Sequence, residues 1–189
     1  MKLVCGLGNP GAKYAGTRHN AGFAICDRLA QKLGTVFSQK RFSSFFAEGR
    51  MNAEKIVLLK PQTYMNRSGD ALSPAIGFYK ISPAQLLVIH DDADLPPGRI
   101  RMKSGGGVAG HKGLESIRER LAADDFDRLR YGVGRPENPA FDLADFVLAP
   151  VPKEEREIHR RRFEQAAEDA MMWLTDGIDA AMNEYNGQE

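Results

Sequence analysis

The sequence predicts an α/β fold: one domain, a sandwich of helices around a mixed central sheet. Three observations carry that prediction. Residues 54–60, containing KIVLLK, and 85–91, QLLVIHD, are short apolar runs of the kind that fill buried strands. Segments with helical periodicity lie between the strand patterns. The alternating run GRIRMK at 98–103 follows a tight Pro-Pro-Gly turn, so the sheet is expected to mix strand directions.

Taken in order, residues 2–7 form the first strand. A helix over 20–33 follows, with Phe23, Ile25, Cys26, Leu29, Ala30 and Leu33 in helical phase and Gly34 as its stop. Strands are expected at 35–39, 44–50 and 54–60, and a helix at 65–80, which Pro83 keeps from extending. The strand 85–91 ends in acid. The glycine tract GGGVAG (105–110) precedes a helix near 112–122, and DRLRYGVG (127–134) alternates again. From Pro152 the chain is mostly helical to about Tyr185, with Trp173 and Leu174 as packing anchors.

A chain of 189 residues, 42% apolar, is long enough to bury a core. A net charge of +1 gives no global nucleic-acid signature, so an anionic partner must meet a local patch. No segment approaches the apolar length of a membrane span. MKLVCGL carries one charge and a short apolar run before a glycine loop, which reads as a first strand and not a signal peptide. Cys5 and Cys26 sit at apolar-phase positions, as buried reduced thiols do, and the cytoplasm is the expected compartment.

Gly6-x-Gly8-x-x-Gly11 after a strand has the spacing of a dinucleotide-binding fingerprint. Pro10 removes an amide N–H that a phosphate cradle would use. Helical periodicity resumes only near Phe23, so a long loop carrying Asn9, Tyr14 and His19 separates strand from helix. Such a loop at a strand's C-terminal end is where open α/β sheets place chemistry. Asp91 ends a buried strand, and parallel pairing would bring it toward that loop. An Asp accepting from one nitrogen of His19 leaves the other free as a base. No nucleophile elbow is present, so the pair points to activated water. Asp91, Asp92 and Asp94 are an alternative divalent-metal cluster, disfavoured because alternation sends Asp91 and Asp92 apart.

Asn66 in PQTYMNRSG stands near a helix start, either as a helix-start residue or as an amide donor to a carbonyl or oxyanion. GGGVAGHKG at 105–113 is a near miss for a P-loop: His111 intervenes before Lys112, and Gly113 replaces the magnesium-holding hydroxyl. Alternation places Arg99, Arg101 and Lys103 on one strand face, and Arg128 and Arg130 on another. Together the two stripes suit phosphate positioning. Arg160, Arg161 and Arg162 add a basic turn to the last helix, diluted by nearby glutamates.

GLGNPGAKYAGTRHNAGF, KPQTYMNRSG, HDDADLPPGRIRMKSGG and FDRLRYGVGRP occur in the order found in bacterial-type peptidyl-tRNA hydrolases, which the chain resembles over nearly its whole length. The resemblance implies a monomeric, three-layer α/β/α enzyme with a mostly parallel, mixed sheet, spanning 1–189. It implies cleavage of the ester between a peptide and the terminal ribose of tRNA, which recycles tRNA in translation. No cofactor, metal, membrane or obligate protein partner is implied. His19 is then the general base, Asp91 its orienter and Asn9 the reader of the substrate's peptide bond. Tyr14, Tyr64, Asn66 and His111 become contacts to peptide and CCA end, and Lys103 and Arg130 a clamp on the tRNA 5′-phosphate. The chain departs from the family at Lys112, where Asn is usual, and at Ala109, where Gly is common. It is acidic after Pro136, where relatives often carry lysine. Lys112 is expected to reach either a terminal phosphate or the pocket water, with the phosphate preferred.

Two other functions remain open on sequence alone. One is a non-catalytic RNA-binding member of the same fold, which would keep the basic stripes without the His–Asp pair. The other is an NADP-dependent reductase using Gly6 to Gly11 and Lys40-Arg41. It requires a helix to start at the glycines, and a loop over 12–18 would exclude it.

Overall fold

A computed structural model of the chain describes residues 1–138 and 140–187, so the final two residues of the expected domain lie outside it. Seven strands form one sheet: β1 (Lys2–Gly6), β2 (Gln39–Arg41), β3 (Ser44–Met51), β4 (Glu54–Pro61), β5 (Leu86–Asp92), β6 (Ile100–Ser104) and β7 (Asp127–Gly132). Their order is β2-β3-β4-β1-β5-β7-β6. The four central strands β4, β1, β5 and β7 run parallel; β2, β3 and β6 pair antiparallel at the edges. Helices α1 (Ala21–Lys32), α2 (Ser68–Tyr79), α3 (Lys112–Leu121), α4 (Leu143–Leu148) and α5 (Arg156–Tyr185) complete the fold.

Alternation along the strands builds two cores. Val4, Ile56, Leu58, Leu87, Ile89, Leu129 and Tyr131 pack toward α1 and α5, with Trp173 and Leu174 as predicted. Leu3, Cys5, Val57, Leu59 and Val88 pack toward α2 and α3. The result is the α/β/α sandwich. Cys5 and Cys26 are free and buried.

Two local expectations change. The predicted strand at 35–39 begins only at Gln39. Gly34 takes φ +64° and the Thr35 amide donates back to Ala30 O, which closes α1, so residues 35–38 form a connection outside the sheet. The predicted helix at 65–80 starts as a single 3₁₀ turn, Met65–Arg67, before α2. The Pro-Pro-Gly turn forms as expected: Arg99 N–H donates to Pro96 O, with Gly98 at φ +76°.

One buried carboxyl strains this core. Asp169 on α5 is buried, and its hydrogen bond among the described residues comes from Gln165 Nε2 at 2.9 Å. Burial pushes its carboxyl up to about 6, against 3.8 in a free chain. The folded state therefore binds this proton more tightly than the unfolded state. The associated stability is whole below about 3.8 and is lost as pH rises through about 6. Asp169→Asn is expected to gain about 2–3 kcal/mol at pH 8 and little at pH 4. Denaturant titrations at the two pH values check this; an equal gain at both would contradict it.

Candidate active site

The chain leaves β1 for the β4 side of the sheet and leaves β5 for the β7 side, so the connections part at the carboxyl ends of these two paired strands and leave a crevice there. The β1 continuation follows β5, with Leu7 N–H donating to Ile89 O at 2.9 Å. Beyond Gly11 the chain makes isolated 3₁₀ turns, Ala12–Tyr14 and Arg18–Asn20, and α1 begins only at Ala21. A loop thus occupies 12–18, which removes the reductase reading. Gly22 explains how α1 starts so close to the sheet. A Cβ there would lie 2.4 Å from Ile89 O and 2.5 Å from Leu7 N. This close approach delivers His19 to the end of β5.

His19 Nδ1 lies 2.9 and 3.0 Å from the two oxygens of Asp91. A carboxylate accepts, so Nδ1 carries the proton and Nε2 keeps its lone pair. A second histidine shares the same carboxylate. His111 Nδ1 accepts from the amides of Gly113 and Leu114, capping α3. Its Nε2 therefore bears the hydrogen, donated to Asp91 Oδ1 at 3.0 Å. Burial alone would push the Asp91 carboxyl up; the His111 and His19 rings override it and hold the group well below the usual carboxylate range. His90 backs the array. Its Nδ1 donates to Asp91 O at 2.7 Å, and its ring meets His111 edge-on at 5.0 Å. Burial, and then the electrostatic influence of the neighbouring His111 ring, push His90 down to about 3, so it is neutral at physiological pH.

Asn9 is buried and tightly held. Asn20 pairs with both its backbone groups, at 2.8 and 3.0 Å, and Met65 N–H donates to its Oδ1 at 2.8 Å. Oδ1 is thereby spent, and Nδ2 has no partner among the described residues. The expected donor-and-acceptor amide is a donor only. Tyr14 and Tyr64 meet edge-on, with ring centroids 6.4 Å apart. Tyr64 and Asn66 are exposed beside Met65.

A cavity of about 640 Å³ opens from His19, Asp91 and His111 toward Lys103 and Arg130, with Leu143 and Val147 of α4 on one wall. Arg130 Nε donates to Asp92 at 2.7 Å. Asp94 pairs with Arg135 at 2.7 Å. The three acids of the sequence-level metal alternative thus go to three different partners. Ligand atoms of His19, Asp91 and His111 do lie within 4.8 Å of one another. A metal there would have to displace the His111 proton and break both hydrogen bonds to Asp91.

One basic residue behaves otherwise than expected. Arg128, read as part of a phosphate-facing stripe, is buried and bonded to backbone carbonyls. Lys112 is exposed at the edge of the cavity and pairs with Glu115 at 3.0 Å, one helical turn on. Arg160 and Arg161 are both held by Glu157. The sequence reading paired His19 with Asp91 but gave no hint that His111 joins them, nor that Asn20 fixes Asn9.

The sequence profile of the family described as peptidyl-tRNA hydrolase matches residues 3–189. The chain belongs to the peptidyl-tRNA hydrolase family. The peptidyl-tRNA hydrolase of Syntrophomonas wolfei is 43% identical over 186 residues, covering 98% of this chain and 100% of the relative. That of Symbiobacterium thermophilum is 46% identical over 187 residues, covering 98% of each. The crystal structure of peptidyl-tRNA hydrolase from Acinetobacter baumannii superposes with a TM-score of 0.92 at 37% identity, covering 100% of this chain and 96% of the other. Membership accounts for the α/β/α sandwich and for the run of matched motifs through all of its layers. No helix among the described residues is long and apolar enough to cross a membrane.

Proposed function

We propose that this chain hydrolyses the ester joining a peptide to the terminal ribose of tRNA, using a water activated by His19. The observation that carries the reading is the Asp91 carboxylate accepting from His19 Nδ1, which leaves Nε2 as the free nitrogen of a cavity-lining residue. Nε2 takes a proton from water as the oxygen attacks the ester carbonyl carbon. The tetrahedral intermediate collapses by breaking the bond to the ribose oxygen, which receives the proton back from His19. The products are a free peptide acid and tRNA, with no covalent intermediate. Asp91 fixes the His19 tautomer and balances the imidazolium; His111 holds Asp91 in place. General-base catalysis supplies about 10²–10⁴-fold and a single oxyanion donor about 10²–10³-fold. An ester needs less help to its leaving group than an amide, so these terms suffice without cofactor or metal.

Asn66 is the amide donor to the developing oxyanion, and Tyr14 and Tyr64 contact the CCA end. Lys103 and Arg130 hold the 5′-phosphate, a contact that positions substrate without reading sequence. The whole chain acts as one domain, a monomer in the cytoplasm. Incubation of purified protein with N-acetyl-aminoacyl-tRNA, without added metal, tests the reading. Release of N-acetyl-amino acid is expected; binding without release would favour a non-catalytic RNA-binding protein.

Asn9 sets substrate choice. Its fixed Nδ2 donor suits the carbonyl of a peptide bond and repels a free ammonium. A buried group left unpaired by the wrong substrate discriminates strongly. Asn9→Ala is expected to narrow the kcat/KM ratio between N-acetylated and free aminoacyl-tRNA by at least about tenfold. An unchanged ratio would place discrimination elsewhere.

A further inference from the structure

Arg128 stands on β7 with its guanidinium buried, 2% exposed. It makes no ion pair among the described residues. Its Nη1 donates to Gly107 O at 2.6 Å, and its Nη2 to Gly106 O at 2.5 Å and Asp124 O at 3.1 Å. These carbonyls flank α3: Gly106 and Gly107 precede it, and Asp124 follows it. One side chain therefore ties both approaches to the helix whose first turn is capped by His111. Only Val108, Ala109 and Gly110 separate the held carbonyls from His111. Val108 is itself buried, and His111 N–H donates to Val108 O at 2.8 Å. The path from Arg128 to the His111–Asp91 bond is thus short, with Val108 anchored midway and Ala109 and Gly110 exposed. Burying a cation against neutral carbonyls is costly. A planar fork reaching three acceptors is something lysine cannot reproduce.

We propose that Arg128 is a positioning residue that clamps the glycine loop and α3, so that His111 stays on Asp91. This rests on the catalytic roles proposed above. It departs from the stripe reading, in which Arg128 would touch phosphate. The two readings separate in kinetics. Arg128→Lys in the full chain, assayed below its melting temperature, is expected to lower kcat by about 10–10²-fold, because a misplacement of about 1 Å can cost about 10²-fold. The loss should be equal on N-acetyl-aminoacyl-tRNA and on N-acetyl-aminoacyl-adenosine, which lacks the tRNA body. The dependence of log kcat/KM on log salt should keep the native slope. An unchanged kcat would overturn the proposal. So would a rise in KM confined to the full-length substrate with a slope flatter by roughly 0.7–0.9, the mark of a lost phosphate contact.

Should the variant fail to fold, hydrogen exchange on the native protein still decides. The amides of His111, Gly113 and Leu114 should exchange as slowly as those of β7; free exchange at these amides would overturn the clamp. If the native protein releases no N-acetyl-amino acid at all, the proposed function fails, whereas the exchange result still judges Arg128.

Discussion

Replacing His19 with alanine is expected to lower single-turnover hydrolysis of N-acetyl-aminoacyl-tRNA by about 10²–10⁴-fold, the usual worth of a general base. Substrate affinity should stay near native, because the proposed phosphate contacts lie on β6 and β7 and the proposed CCA contacts are made by Tyr14 and Tyr64 rather than His19. The fold should also survive. The His19 side chain is partly buried, but its hydrogen bonds are to Asp91, and His111 still satisfies that carboxylate. A thermal midpoint within a few degrees of native, together with a lost rate, separates catalysis from stability. A His19→Ala protein with a near-native single-turnover rate would remove the base from the mechanism.

Asp91→Asn is expected to be nearly as damaging, for a reason visible in the hydrogen bonding. Asp91 accepts from two imidazoles at once, and His111 must donate because its Nδ1 is taken by two amides. An asparagine has one acceptor and one donor. His111 and His19 both meet Oδ1, so if the amide oxygen takes that place its NH₂ takes the Oδ2 place, 3.0 Å from His19 Nδ1, and there favours the tautomer with the His19 proton on Nε2, which can then no longer act as a base. A tautomer error of this kind costs up to about 10⁴-fold in an analogous His–Asp pair, and we expect a loss of about 10³-fold in kcat here. Nitrogen NMR of the His19 ring gives a second check, since the protonated nitrogen should switch. A loss of less than about threefold, with the ring tautomer unchanged, would show that Asp91 orients nothing, against the usual 10²–10⁴-fold worth of an aligned base.

The His19–Asp91 pair was legible in the sequence because strand direction determines it. Parallel neighbours end on the same side, and a long loop after β1 meets the acid that ends β5. The basic stripes were half legible. Alternation gives the sheet face of Arg128 and Arg130 correctly, but it cannot tell how far the glycine loop folds over that face. That covering segment turns Arg128 from a surface cation into a buried tie. His111 was hidden because its partner lies 20 residues away on another element. Lys112 pairs with Glu115, a carboxylate three residues on, a local contact that the comparison with a P-loop did not bring into view. The strand expected at 35–39 starts only at Gln39 because the Thr35 amide is taken by Ala30 O in closing α1, which keeps the next residues out of the sheet. Asn9 could be named from its place in the loop. Its role as donor alone required Met65, 56 residues on, to occupy its oxygen.

In the proposed mechanism His19 delivers water directly to the ester. Single-turnover reaction with N-acetyl-aminoacyl-tRNA labelled in the acyl group, quenched in acid at successive times, tests it most directly. Label is expected to pass from tRNA to free N-acetyl-amino acid with none bound to protein at any time, and to remain on tRNA in the His19→Ala variant. Label that accumulates on the protein before free acid appears would contradict the account.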